Sequence, residues 1–356
     1  MKMDIRIEKI ATPKQKPDES ALGFGQYFTD HMFIMDYTRE KGWHDARIVP
    51  FGNLSLHPAC TVFHYGAEIF EGMKAYRTAD GSIQLFRPEQ NFARLNSSAE
   101  RMRLPLVDEE FALKALTELI KLDADWVPHA PGTSLYIRPF LFGADPKLGV
   151  HSIDRSVFII ILSPVGSYYK EGINPVKIMI ETEDVRAVRG GTGYTKCGGN
   201  YGASNRAGEK AEQAGYSQVL WLDGVERKYI EEVGAMNVMF KIGDEIVTPA
   251  LTGSILPGIT RNSILQILRD EGAKVSERLL SIDELIEALE NGELKEGWGC
   301  GTAAVVSPIG QLYYNGKTYT INNGNIGETT QKLYDTLTGI QWGRIADTRG
   351  WVYPIK

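Results

Sequence analysis

The sequence predicts a two-domain protein of mixed α/β (α+β) class, and three observations predict it. A chain of 356 residues is long enough for one large domain or two domains of ordinary size. From about residue 81, short strand patterns alternate with amphipathic helix patterns. The segment 163–175, rich in glycine, proline and serine, is the best candidate for a linker. It would join a smaller N-terminal domain, residues 1–162, to a larger C-terminal domain, residues 176–356.

The first elements after an irregular arm over residues 1–25 are a strand over 83–87 and a helix over 89–102. The helix has apolar residues at steps of three and four, which place them on one face. These residues are Phe92, Leu95, Ala99 and Met102. A second helix is predicted to begin after Asp108, a residue type that caps helix N-termini.

The next elements are strands. Residues 134–140 alternate, so Tyr136 and Arg138 share one face of the strand and the apolar residues between them share the other. The apolar run that ends at Leu162 predicts a strand buried on both faces. Beyond the linker, three further strands and one helix are predicted. They cover residues 176–181, 218–222 and 235–240, and the helix begins near Ile264.

Charge, hydropathy and cysteine content exclude several classes of protein. The chain has 39 basic and 45 acidic residues, a net charge of −6, which argues against a nucleic-acid binder. No apolar run reaches the roughly 18 residues of a membrane span, and the N-terminal residues lack the apolar core of a signal peptide. Three widely spaced cysteines favour a reducing cytoplasm over a disulfide framework. The six histidines show no metal-ligand spacing, so no metal site is predicted.

The glycine-rich stretch 189–211 surrounds Lys196. It matches neither a P-loop nor a dinucleotide-binding fingerprint, and a flexible surface loop with an exposed lysine remains an alternative. A lysine whose pKa is lowered can instead form a Schiff base with an aldehyde. The natural aldehyde cofactor is pyridoxal phosphate, which also requires a phosphate cup and an acid facing its pyridine nitrogen.

The phosphate cup has two candidate segments. In LPGITRNSILQIL, Gly258 bends the chain and Thr260 is a candidate N-cap of the helix that follows, and helix N-termini bind anions. In GCGTAAVV, the hydroxyl and backbone N–H of Thr302 are further donors. Arg94 would add positive charge. Taken singly, each segment also fits an ordinary capped helix or tight turn.

The acid is either Glu231 or Glu232, which precede an apolar strand. Adjacent strand residues face opposite ways, so only one of them can point into a site. A carboxylate against the pyridine nitrogen keeps the ring protonated, which makes it an electron sink. A pair of solvated acids at the start of a strand is the alternative.

Six motifs fall in a fixed order over about residues 20–355. They are HYGAEIFEGMKAYR, SLYIRPF, GGTGYTKCGGNYG, EEVGAMN, LPGITRNSIL and GTAAVVSPIG. With these motifs in this order, the chain resembles the branched-chain amino acid aminotransferases, which are fold-type IV pyridoxal-phosphate enzymes. The resemblance implies a barrel-like β core in a C-terminal domain that carries the Schiff-base lysine, and a homodimer. It implies reversible amino transfer between L-leucine, L-isoleucine or L-valine and 2-oxoglutarate.

The resemblance also implies roles for individual residues. Lys196 is the Schiff-base lysine and the catalytic base, Tyr201 bonds the phenolic oxygen of the cofactor, and Glu232 rather than Glu231 contacts the pyridine nitrogen. Four residues match the phosphate cup, namely Arg94, Ile259, Thr260 and Thr302. Six residues match the substrate site, with an apolar wall of Phe28, Tyr65 and Phe70, the polar residues Tyr136 and Arg138, and the backbone N–H near Ala303.

Two departures from the family pattern carry expectations. Ala235 stands where some relatives have threonine, so the backbone near Ala303 must bind more of the substrate carboxylate. Ala304 and Ser307 stand where some animal members have a redox-active cysteine pair, so no thiol switch is expected there.

The alternatives to branched-chain amino transfer are another fold-type IV activity, such as D-amino acid transamination or aminodeoxychorismate lysis, and a non-catalytic cofactor-binding protein. The intact set of Lys196, Tyr201 and Glu232 argues against the latter.

Overall fold

The computed structural model describes residues 3–166 and 173–356. Its strands are β1 (Arg6–Ile7), β2 (His31–Thr38), β3 (Gly42–Pro50), β4 (Glu68–Phe70), β5 (Met73–Arg77), β6 (Ile83–Phe86), β7 (Ser134–Gly143), β8 (Arg155–Val165), β9 (Val176–Ile180), β10 (Gln218–Leu222), β11 (Ile230–Val233), β12 (Met236–Ile242), β13 (Glu245–Pro249), β14 (Lys274–Arg278), β15 (Leu294–Gly301), β16 (Val305–Tyr314), β17 (Lys317–Thr320) and β18 (Val352–Ile355). Its α-helices are α1 (Thr61–Tyr65), α2 (Pro88–Met102), α3 (Glu109–Leu122), α4 (Gly198–Gly202), α5 (Asn205–Gln213), α6 (Ile259–Asp270), α7 (Ile282–Glu290) and α8 (Glu328–Gln341), and short 3-10 helices cover Glu19–Ala21, Ala124–Trp126 and Asn322–Gly324.

The chain forms two compact units. The first unit comprises Met1–Lys170, Thr195–Gly198 and Gly339–Lys356, and the second comprises Glu171–Tyr194 and Gly199–Thr338. The segment with Lys196 hydrogen-bonds to β4 and α2, and β18 near the C-terminus pairs with β6. Both segments therefore group with the N-terminal part of the chain.

The first unit contains a nine-stranded sheet in the order β1-β3-β2-β8-β7-β5-β6-β18, with β4 paired to β7. Helices α2 and α3 bury their apolar faces in its core. The predicted stripe of α2 is confirmed, since Phe92, Leu95 and Ala99 are almost fully buried. Asp108 is confirmed as the N-cap of α3, because its carboxylate accepts a 2.9 Å hydrogen bond from the N–H of Phe111.

Strand β8 extends into the segment predicted as a linker. Residues 163–165 continue β8, where Ser163 and Val165 pair with Tyr136 and Ser134 of β7. The tertiary pairing therefore overrides a local composition typical of loops. Residues 167–172 of the predicted linker lie outside the described residues.

The second unit contains a closed, barrel-like sheet of six strands, as the family resemblance implied. The order β11-β10-β9-β16-β15-β12 closes on itself because β11 also pairs with β12. Its interior is apolar, with Leu220, Val238, Phe240 and Leu312 almost fully buried. Among the described residues, no helix is long and apolar enough to cross a membrane.

Candidate active site

The backbone of Lys196 is fixed from several directions within the first unit. The N–H of Phe70, the last residue of β4, donates to the carbonyl oxygen of Lys196 at 2.9 Å. The N–H of Lys196 donates to the hydroxyl of Ser98 on α2 at 3.0 Å, and the carboxylate of Glu68 accepts a hydrogen bond from the N–H of Gly198. The lysine is therefore not on a flexible surface loop, which was the alternative that its glycine-rich surroundings left open.

The ammonium group of Lys196 lies in an environment that favours its neutral form. Its Nζ is 4.9 Å from the centre of the Phe70 ring. Burial and the positive charge of Arg94 together lower the pKa of Lys196 to about 8, while the carboxylate of Glu71 opposes this effect. A neutral amine is both a nucleophile and a base, so a lysine with this pKa suits either role near neutral pH.

Arg94, a predicted phosphate ligand, is paired with a carboxylate that the sequence analysis did not select. Its Nε lies 2.8 Å from Oε1 of Glu71 and its Nη2 lies 2.9 Å from Oε2. Burial alone would raise the pKa of Glu71, but the charge and hydrogen bonds of Arg94 outweigh this effect and hold the pKa below its usual value. Asn91 adds a 2.8 Å hydrogen bond to the same carboxylate.

Tyr136 and Arg138 lie on one face of β7, as predicted. The guanidinium of Arg138 donates to the phenol oxygen of Tyr136 at 3.0 Å and lies 4.6 Å from the centre of the Phe70 ring. Nε of Arg138 is buried and has no hydrogen-bond partner in the part of the chain that the structure describes. A side chain at Gly72 would collide with the phenol of Tyr136, so this arrangement requires glycine there. The pair can therefore bind an anionic group.

Three other predicted residues have distinct surroundings. Phe28 stacks on Phe51, with ring centres 4.8 Å apart. Tyr65 ends α1, is 40% exposed, and accepts a 2.6 Å hydrogen bond from the N–H of Gly149. Tyr201 lies on the short helix α4 and is half-buried. Their roles towards substrate and cofactor stay predictions.

In the second unit, Glu232 is a buried carboxylate with a defined set of partners. It lies on β11 and is 4% exposed. Its Oε1 accepts hydrogen bonds from the N–H of Leu256 at 3.0 Å and from the amide of Asn237 at 3.3 Å. Nε of Arg186 lies 3.0 Å from its Oε2. A buried ion is tolerated when it is paired and hydrogen-bonded in this way, so the carboxylate can stay negative.

Glu231 has a different environment on the other face of β11. Its Oε1 accepts a hydrogen bond from the hydroxyl of Ser254, whereas its Oε2 has no hydrogen-bond partner among residues 3–166 and 173–356. Burial raises the pKa of Glu231. Both acids are buried, so the alternative of a solvated pair is wrong.

The predicted phosphate cup at LPGITRNSIL is the N-terminus of α6. The helix begins at Ile259, and its N-cap is Gly258, with φ −68° and ψ 132°. Thr260 lies inside the first turn, so its assignment as the N-cap is wrong. Asn237 fixes the start of α6, because its amide donates to the carbonyl oxygen of Leu256 at 2.9 Å. The same amide lies so close to Gly258 that no side chain would fit at residue 258. Asn237 therefore links Glu232 to the start of α6.

The second predicted segment forms the turn between β15 and β16. Thr302 and Ala303 are half-buried in this turn. Val305, the first residue of β16, has φ +62°, a conformation that is costly for a β-branched side chain. Backbone strain of this kind is typical of functional sites. Cys300, at the end of β15, is buried, which raises the pKa of its thiol to about 12.

Comparison with known proteins then decides the family. A model of the amino-transferase class IV family matches residues 68–312. The chain is 57% identical to branched-chain-amino-acid aminotransferase 2 of Bacillus subtilis, over 98% of this chain and 96% of the relative. It is 53% identical to branched-chain-amino-acid transaminase 1 of the same organism, over 99% of each chain. The chain belongs to the class IV aminotransferases. The branched-chain amino acid aminotransferase of Escherichia coli has the same fold, with a TM-score of 0.77 and 26% identity, covering 92% of this chain and 99% of that one.

Several polar residues of this aminotransferase are not predicted by the sequence patterns. Glu71 and Asn237 lie within quoted motifs, which is the signal that could have selected them, although the motifs do not indicate their partners. Asn91 and Arg186 carry no local signal, since their partners lie far away in the sequence. Within the described residues, no group of three or more histidine, cysteine or acidic side chains could hold a metal ion.

Proposed function

We propose that this class IV aminotransferase catalyses reversible, pyridoxal-phosphate-dependent amino transfer between L-leucine, L-isoleucine or L-valine and 2-oxoglutarate. The products are branched 2-oxo acids and L-glutamate. One observation carries the proposal. The amine of Lys196 has a pKa lowered to about 8 and lies beside Phe70, in a chain 57% identical to a branched-chain-amino-acid aminotransferase.

The residues present fit the three chemical demands of pyridoxal phosphate. Its aldehyde requires an amine with an appreciable neutral fraction near physiological pH, and the lowered pKa of Lys196, about 8, meets this demand. Its phosphate requires a cation and free N–H groups; we assign Arg94 to the first role and the first turn of α6, with Ile259 and Thr260, to the second. Its pyridine nitrogen requires a buried anion, and Glu232 is one. We assign Tyr201 to the phenolic oxygen and Thr302 to the phosphate.

When bound, the cofactor supplies an electron-withdrawing ring that accepts the electrons released as the substrate Cα loses its proton. Nζ of Lys196 would be the base that takes this proton from Cα, and the same atom would deliver it to C4′ of the cofactor rather than back to Cα. The carboxylate of Glu232 holds a proton on the ring nitrogen. Its own negative charge is maintained by Arg186 and two hydrogen bonds.

Two kinds of substrate side chain must be bound at one site. Phe70, Phe28 and Tyr65 would contact the aliphatic side chains, whose burial contributes about 1.5–3 kcal/mol. Arg138, whose buried Nε has no partner in the described chain, would bind the distal carboxylate of glutamate together with Tyr136. Because Ala235 has no hydroxyl, the backbone N–H of Ala303 would bind the α-carboxylate.

We also propose that the enzyme is cytoplasmic and forms a homodimer. Within each subunit, the connection between the two domains would lie within residues 163–175. All three cysteines are buried as free thiols, which is typical of proteins from a reducing compartment. The division of the chain at residue 170 falls inside that segment.

The test is a panel of L- and D-amino acids with 2-oxoglutarate, followed by half-reactions of the wild type and the Arg138→Gln variant. We expect turnover of the three L-branched substrates and none of their D-enantiomers. In Arg138→Gln, the half-reaction with L-glutamate slows about tenfold or more, as loss of a charged hydrogen bond predicts, while that with L-leucine changes far less. Arg39→Gln, which removes an exposed pair with Asp154, serves as the matched control. Failure on all L-branched substrates would contradict the proposal.

A further inference from the structure

Glu71 is a fully buried carboxylate, 0% exposed, that immediately follows β4. Four hydrogen bonds end on its two oxygens. The donors are Nε and Nη2 of Arg94 at 2.8 and 2.9 Å, the amide of Asn91 at 2.8 Å and the N–H of Gly72 at 3.2 Å. A carboxylate with this many donors is held in a single orientation.

The geometry of the pair fixes the direction of the arginine. A guanidinium is planar and carries its donors in a rigid fork. Two parallel hydrogen bonds from the Nε–Nη2 edge of Arg94 to Glu71 therefore define the plane of the group and the direction of the Nη1 edge. The Arg94 side chain is only 9% exposed, so water does not compete strongly for these positions.

The charge of Glu71 matters as well as its shape. Arg94 is a buried cation in this region, and the carboxylate of Glu71 opposes its effect on the pKa of Lys196. Removing one member of a buried ion pair leaves the other charge uncompensated. Both the negative charge and the length of the glutamate side chain should therefore be required at position 71 to hold Arg94.

We propose that Glu71 is a positioning residue that holds the guanidinium of Arg94 in the orientation needed to bind the cofactor phosphate. This inference rests on the proposed function, in which Arg94 is a phosphate ligand. Glu71 itself acts only through Arg94. Its effect should consequently appear in the contribution of the phosphate to binding, and not in binding of the rest of the cofactor.

The test compares pyridoxal phosphate with pyridoxal, which lacks the phosphate. Absorbance gives the dissociation constant of each compound for the wild type, Glu71→Gln and Glu71→Asp. The quantity compared is the dissociation constant of pyridoxal divided by that of pyridoxal phosphate, which is large when the phosphate contributes strongly to binding. The first variant keeps the size of the side chain and loses the charge, while the second keeps the charge and shortens the reach. We expect the ratio to fall about tenfold in both variants, the scale of one charged hydrogen bond, while the dissociation constant of pyridoxal stays within about twofold.

Two controls make the result decisive. Glu296→Gln removes another buried carboxylate, which bonds Thr330 in the second unit, and should leave the ratio unchanged. Glu71→Gln combined with Arg94→Gln should lower the ratio no further than Arg94→Gln alone, because both changes remove the same interaction.

The failures can be told apart. If the wild type binds pyridoxal phosphate no tighter than pyridoxal, or if Arg94→Gln keeps the wild-type ratio, then Arg94 is not a phosphate ligand and the proposed function is contradicted at that point. If Arg94→Gln lowers the ratio but the Glu71 variants do not, or if Glu71→Gln tightens binding of pyridoxal phosphate, the inference about Glu71 is overturned.

Discussion

Phe70 contacts Lys196 at both ends of the lysine. Its N–H donates to the lysine carbonyl oxygen at 2.9 Å, and its ring centre lies 4.9 Å from the lysine Nζ. The first contact fixes the backbone from which the side chain projects. The second contributes to the desolvation that lowers the lysine pKa. The reactivity of the amine therefore depends on the local packing around β4, and several predictions can be made from this packing.

The first prediction concerns the pH dependence of cofactor capture. Because burial and Arg94 lower the pKa of Lys196 to about 8, the rate at which the apoprotein binds pyridoxal phosphate covalently should rise through pH 8 and then level off. Stopped-flow absorbance measures this rate. Arg94→Gln should move the midpoint to higher pH, since it removes a positive charge. A rate that still climbs at about pH 10, as for an ordinary lysine, would contradict the environment described for Lys196.

The second prediction concerns Gly72. In Gly72→Ala the new methyl group would force the Tyr136 phenol to move and would break its hydrogen bond from Arg138. Small displacements of positioning groups are costly in catalysis, so kcat/KM for L-glutamate should fall about tenfold with cofactor still bound.

Gly208→Ala is the control for Gly72→Ala, because a methyl group on α5 at this position meets nothing within 4 Å. Alanine is favoured over glycine in a helix interior, so this variant should be more stable by about 0.5–1 kcal/mol in urea unfolding, with unchanged kinetics. Unaltered kcat/KM in Gly72→Ala would show that Tyr136 can move without consequence.

The third prediction separates the two adjacent acids. Glu232→Gln should reduce kcat roughly 100-fold, the scale for loss of a preorganised charge at the reacting group. Glu231→Gln should retain activity and gain stability at pH 7. Burial raises the pKa of Glu231, so its ionisation costs stability as the pH rises above the unfolded value of about 4.3.

Thermal unfolding at pH 4 and pH 7 checks the behaviour of Glu231. The gain in melting temperature for Glu231→Gln should be present at pH 7 and small at pH 4, where the wild-type carboxyl is largely protonated in both states. Equal activity losses in the two variants, or a Glu231→Gln variant less stable at pH 7, would mean that the roles of the two acids are assigned incorrectly.

The fourth prediction concerns the thiols. Cys60, Cys197 and Cys300 are each no more than 2% exposed, and burial raises the pKa of Cys300 to about 12. Because only the thiolate reacts readily, the native protein should not react with Ellman's reagent at pH 8 on a timescale of minutes, whereas the protein in guanidinium should release three equivalents. Rapid reaction of any thiol in the native protein would contradict this packing.

Local sequence patterns predicted much of the fold correctly because they reflect local physics. The apolar stripe of α2, the Asp108 cap of α3 and the alternation that places Tyr136 beside Arg138 all depend on residues within a few positions of one another. Lys196 was selected in the same way, because a lysine among glycines is unusual and the surrounding motif is specific, and its catalytic role stays a prediction.

The errors have tertiary causes. Residues 163–165 have a loop-like composition but form strand because β7 supplies pairing partners. Gly258 rather than Thr260 caps α6 because Asn237 determines the turn before it. The bond between Glu71 and Arg94 joins residues 23 positions apart, and no pattern in either segment indicates its partner.

The most direct test of the central claim is reductive trapping. The holoenzyme is treated with borohydride, digested, and mapped by mass spectrometry, with Lys196→Ala as the control. The account predicts one phosphopyridoxyl group on the peptide that contains Lys196, and none in the Lys196→Ala variant. A label on another lysine, or no label in a protein that nonetheless transfers amino groups, would contradict it.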